Sequence, residues 1–233
     1  MRFHENQLVE ALNELPLKNR IAFAASCGER LLPNYEAFYF HEKWGNYAYL
    51  NCALESIWRF VTAGHLPSKQ VSDLINQCES VIPDSDEFSS IFTGAASNAA
   101  AAVIYTLQSC LDGDPKRVAL VGRLAIDTID EYLYVVNAPD IEPHAHDPAF
   151  DQWIQQAPLM MAELQKQQID LKTLKSEARL DSCFLDKWRQ EASQVGIFPY
   201  KRGLVPFQLP QKESYRTPKW PLRNNLSLST NGF

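Results

Sequence analysis

The chain has 233 residues, 45% of them hydrophobic, which suffices for a sizeable core arranged as one large or two small domains. Its formal charge of −6 at pH 7 argues against non-specific attachment to nucleic acid or anionic lipid, since both repel an acidic surface. Five cysteines (Cys27, Cys52, Cys78, Cys110 and Cys183), odd in number and without a CxxC spacing, point to reduced thiols on apolar helix faces rather than a disulfide framework or a zinc site, and to the cytoplasm.

The charge is unevenly placed. From Lys201 onward six residues are basic (Lys201, Arg202, Lys212, Arg216, Lys219, Arg223) and one, Glu213, is acidic. That leaves 16 of the 22 basic and 27 of the 28 acidic residues in the body, a formal −11 against +5 for the tail. An acidic body with a basic tail invites the tail to lie on the body or on a neighbouring copy. The N-terminal MRFHENQLVE has no apolar core or cleavage-site pattern. The most apolar run, Ala95 to Leu107, is too short and too alanine-rich to span a bilayer, so no membrane attachment is expected.

Val9, Leu12 and Leu15 indicate a short first helix ending at Pro16, which can open the next one. The second carries Leu17, Ile21, Ala24, Gly28 and Leu31 on one stripe, and Pro33 is expected to separate it from an aromatic helix closing at Gly45. Asn46 suits the N-cap of a helix with Tyr47, Leu50, Leu54, Ile57, Trp58 and Val61 at spacings of three and four, stopped by Gly64. Ser68 is expected to cap the next, with Val71, Leu74, Ile75 and Cys78 inward. An alanine-rich helix over about Phe88 to Leu111 belongs near the centre of a bundle, because small side chains let several partners approach. Asp114-Pro115 signals the start of another helix. The stretch Ala138 to Pro148 reads as an ordered loop, followed by helical sequence interrupted at Pro158. A last helix covers Leu180 to Val195 with Phe184, Leu185 and Trp188 inward. Period-two alternation is absent, so no strands are expected.

Several clusters of polar residues have the composition of a chemical site. Asp127, Asp130 and Glu131 share a helix, but no Glu in the chain has a His three residues on, as carboxylate-bridged metal sites in bundles need; a solvated acidic face paired with Arg123 is the simpler reading. His144 and His146, with Glu142 and Asp147, are the one histidine cluster, and a proline-rich loop needs no metal to explain them. Asp84, Asp86 and Glu87 lack the glycine and terminal glutamate of a calcium loop. No Gly-x-Ser-x-Gly elbow or phosphate-cradling glycine loop occurs. No metal or cofactor is therefore expected. Glu29, Arg30 and Asn34 remain, either as a buried polar knot or as the lining of a pocket floored by Tyr35 and Trp58.

These residues carry a resemblance. Phe23 with Cys27-Gly28-Glu29-Arg30, then Pro33-Asn34-Tyr35, Phe38, Trp44-Gly45, Ile57-Trp58, Ile82-Pro83-Asp84, Asp86, Phe88, Thr128, the Pro148 to Trp153 stretch and Val195-Gly196-Ile197 resemble the YjaG-like bacterial family, domain of unknown function 416. The resemblance covers about Leu15 to Phe198. It departs from the family pattern at Gly28, which precedes Glu29-Arg30, and at Asn98, where an Asp is common. It implies an all-helical cytoplasmic bacterial protein without an established activity.

The sequence is thus read as all-α: residues 1–198 form a single bundle of about eight or nine helices, and residues 199–233 a basic, proline-rich C-terminal arm. The leading functional expectation is a non-catalytic binding or interaction protein, partnered by a second copy or another protein. The alternative is a small-molecule binder or enzyme whose polar site includes Glu29, Arg30, Asn34, Tyr35 and Trp58. A nucleic-acid role, if any, belongs to the tail.

Overall fold

A computed structural model describes residues 3–137, 148–177 and 180–194. Among them are the helices α1 (Glu5–Asn13), α2 (Leu17–Glu42), α3 (Tyr47–Ala63), α4 (Ser68–Glu79), α5 (Thr93–Asp112), α6 (Pro115–Asn137), α7 (Pro148–Gln156), α8 (Pro158–Ser176) and α9 (Ser182–Gln194), and no strand. The His144–Asp147 cluster and the arm from residue 199 lie outside the described residues.

Two helices form the centre. α5 packs on α2, α3, α4 and α6, as its alanines suggest, with Ala95, Ala96, Ala99, Ala100 and Ala102 all buried. α2 is the second axis, touching α3, α5, α6, α8 and α9. α2 also corrects the sequence reading, because the break expected at Pro33 does not occur: 26 residues run unbroken from Leu17 to Glu42. A proline removes one main-chain donor and crowds the carbonyl four residues earlier, here that of Glu29, which costs about 3 kcal/mol in a helix interior. Every residue from Ile21 to Tyr35 is buried. Helices pressing on both halves hold them in line, and packing outweighs the local preference.

The real end of α2 is at Lys43, which takes a left-handed conformation (φ 55°), followed by Gly45 (φ 87°). Gly45 is required twice over: its φ suits glycine, and a Cβ there would collide with the Tyr35 hydroxyl. Tyr35 donates to the carbonyl of Val81 at 2.7 Å, while Phe38, Trp44 and Phe88 meet edge-on or tilted with centroids 5.1–6.1 Å apart. This aromatic knot draws Phe88 into a turn, so α5 starts at Thr93 and not near Phe88. Asp84 closes that turn on itself, its Oδ1 accepting from the Asp86 N–H at 2.9 Å. Ser68 is likewise the first residue of α4 and not its cap, the cap position being Pro67.

The remaining boundaries follow local rules. Asn46 Oδ1 accepts from the Ala48 N–H at 3.1 Å, and Asp114 Oδ1 from the Lys116 N–H at 3.0 Å. Gly64 and Gly113 end α3 and α5 with positive φ. No helix of the described residues is long and apolar enough to cross a membrane. All five cysteines are free; Cys27, Cys78 and Cys110 are buried, whereas Cys52 and Cys183 are exposed and so do not sit on apolar faces as expected.

Candidate functional site

Glu29 and Arg30 are neighbours in sequence, yet a helix rotates successive side chains by about 100°, and the two serve different networks. Arg30 turns toward α8. Its Nε and Nη2 donate to Glu163 Oε2 and Oε1 at 2.9 and 2.8 Å. Nη1 donates to Ser26 Oγ at 2.8 Å and Asp170 Oδ2 at 3.2 Å, and Nη2 also reaches Cys27 Sγ at 3.3 Å. All five guanidinium N–H groups are therefore used. Arg30 and Asp170 are 0% exposed and Glu163 3%. Burial would lower the Arg30 pKa, but the Glu163 carboxylate more than offsets it and the guanidinium is held charged. The same burial pushes the Cys27 thiol up to about 12, so it is no nucleophile.

The knot has a rim of further polar groups. Gln167 Nε2 donates to Glu163 Oε1 and to the carbonyl of Gly122, both at 2.9 Å. Gly122 permits this approach, since a Cβ there would stand 3.1 Å from Gln167 Oε1. Asp170 Oδ1 is bonded by Lys166 and by Trp188 Nε1, the latter at 3.0 Å. Trp188 ties α9 to this buried cluster.

Glu29 turns the other way, toward α3 and α9. Its Oε1 accepts from Trp58 Nε1 at 2.9 Å and from Arg189 Nε at 2.5 Å. Arg189 also grips Glu55 through Nη1 at 3.0 Å and through Nη2, and lies 5.8 Å from the centroid of the Trp58 ring, within cation–π range. The hydrogen bond from Arg189 holds the Glu55 carboxyl below the usual carboxylate range. Burial would lower the Arg189 pKa, but Glu55 and Glu29 raise it. Glu55 is ionised at neutral pH and supplies charge, not a proton.

Above this clamp lies an open groove of about 620 Å³ between α2, α3 and α9. Among the described residues, Glu29, Glu36, Glu55 and Asp186 line it with Arg189, four carboxylates beside one guanidinium. Tyr47, Asn51, Gln190 and Ser193 complete its walls.

The five residues singled out from sequence thus separate. Glu29 lines the groove and Trp58 holds it from below; Arg30 sits in the α8 knot; Tyr35 anchors the turn at Val81. Asn34 is fully buried, and neither its Oδ1 nor its Nδ2 has a hydrogen-bond partner. Sequence reasoning missed Glu163, Asp170, Glu55 and Arg189. Glu163, Gln167 and Asp170 recur at four and three, interleaved with Met160, Leu164 and Leu174; polar residues on an inward stripe were the available signal.

A smaller cleft of about 280 Å³ brings Asp127, Asp130 and Asp151 together beside Ile126 and Met160. Arg123 pairs with Asp127 at 3.4 Å and with Glu5 at 3.0 Å. Partial burial raises Asp127 and Asp130 above the ordinary aspartate range; Asp127 and Asp151 push Asp130 further. Among the described residues no group of three or more His, Cys, Asp or Glu side chains is placed to hold a metal ion.

None of the curated proteins matches this chain. The fold matches a crystal structure of a DUF416 family protein from Shewanella baltica OS155, with a TM-score of 0.71 and 20% identity, covering 81% of this chain and 96% of that one. A family described as "Protein of unknown function (DUF416)" matches residues 7–198. With most of the described bundle inside that match, the chain belongs to the DUF416 family.

Proposed function

We propose that the protein is a non-catalytic binding protein whose recognition surface is the acidic groove between α2, α3 and α9, and that the groove takes an extended segment of a protein partner bearing lysine and arginine. The observation that carries this reading is the excess of carboxylates over guanidinium among the described residues that line an open groove between three helices. Preformed charge on helices attracts an oppositely charged segment at little cost of reorganisation. The pairing below the groove supports binding over catalysis, because Arg189 keeps Glu55 ionised and fixed.

The test uses residues 1–198, which retain every described helix, since α9 ends at Gln194. A fluorescent eight-residue peptide of lysine and arginine is titrated by anisotropy beside its glutamate counterpart. The basic peptide is expected to bind and the acidic one not. Asp186→Lys in the groove wall should weaken binding about tenfold or more, while Asp130→Lys in the other cleft leaves it unchanged. Equal binding of both peptides, or equal loss in both variants, refutes the assignment.

A small-molecule site including Glu29, Arg30, Asn34 and Tyr35 has one observation in its favour, the unbonded Asn34 amide. Arg30, Asn34 and Tyr35 do not line the groove.

A further inference from the structure

We propose that the chain's own C-terminal segment, residues 199–223, is an intramolecular occupant of the acidic groove and competes there with the partner segment. The inference rests on the reading of the groove just given and adds a regulator to it.

Three independent observations converge. The first is charge: the segment carries six basic residues and one acidic, and the described lining of the groove is predominantly acidic, with Asp186 and Glu55 on its walls. The second is position. Gln190 and Ser193, in the last turn of α9, line the groove wall, so the chain leaves the described residues at the groove itself. Six residues separate Gln194 from Lys201, a reach of up to about 25 Å when extended. The third is boundary. The family match ends at residue 198, so the groove lies in the shared part and the basic segment beyond it.

Pro199, Pro206, Pro210, Pro218 and Pro221 spread the basic residues over a sequence that cannot form one continuous helix. Lysine and arginine at Lys201, Arg202, Lys212 and Arg216 can then meet Asp186 and Glu55 on the groove wall. A short tether gives the segment an effective concentration of about 1 mM. For an intrinsic dissociation constant of about 10 µM, that suppresses binding of an external competitor about 100-fold.

The experiment titrates a fluorescent peptide of residues 199–223 against the full chain and against residues 1–198 at low salt. The peptide is expected to bind the truncated protein, to lose affinity with Asp186→Lys and with added salt, and to bind the full chain at least tenfold more weakly. Equal affinity for both proteins overturns the intramolecular occupant and leaves the groove assignment standing. Failure of both this peptide and the basic octapeptide to bind residues 1–198 removes the groove assignment itself. Light scattering adds the remaining outcome: a full chain at twice the expected mass, becoming monomeric on truncation, places the segment on a second copy and overturns the intramolecular form.

Discussion

Replacing Arg30 by methionine tests the buried knot most directly. The substitution keeps an unbranched apolar stem and removes all five donors at once. Glu163 then retains only Gln167, through Oε1, and its Oε2 is left without a bond. Asp170 fares better, keeping Ser26, Lys166 and Trp188. One carboxylate at 3% exposure thus loses its cation, and breaking a buried ion pair in this way costs about 3–5 kcal/mol. That is a large share of the roughly 5–15 kcal/mol that holds a domain folded. Urea unfolding followed by circular dichroism at 222 nm should show the midpoint falling at constant slope. Adding Glu163→Met should recover part of the loss, because a well-packed apolar pair removes the stranded charge. A loss under about 1 kcal/mol, or a double variant worse than the sum of its parts, refutes the account.

Asn34→Leu replaces two buried, unbonded polar atoms by an apolar group of similar size and is expected to stabilise by about 1–2 kcal/mol in the same assay; destabilisation would show that the amide is in use. The three-aspartate cleft yields a pH prediction. Asp130 binds its proton more tightly in the folded chain than in the unfolded one, so its contribution is favourable below the unfolded value and is lost as pH rises through the folded one. Asp130→Asn should therefore raise the melting temperature at pH 7 and leave it unchanged near pH 3. A gain of the same size at both pH values contradicts the assigned cause.

How much of this was legible depends on how far apart the interacting groups lie. Asn46, Gly64, Asp114 and Pro158 mark helix ends because caps act between residues two to four apart, and the amphipathic stripe of α3 follows from a fixed rotation per residue. Pro33 misleads for the complementary reason. Its penalty is local, whereas the burial that overrides it comes from helices distant in sequence. The candidate site divides along the same line. Glu29 and Arg30 stand out locally, but their partners Glu163, Asp170 and Arg189 lie 133 to 160 positions away, and no periodicity pairs residues at that range.

By itself the sequence determined the all-helical class, most helix boundaries, the alanine-rich helix at the centre and the split between acidic body and basic tail, all of which rest on composition and short-range geometry. Only the tertiary structure decided that α2 is continuous, that adjacent Glu29 and Arg30 serve opposite networks, and that carboxylates from α2, α3 and α9 converge on one groove. Those outcomes depend on which helix faces meet, and that is set by burial summed over the whole bundle.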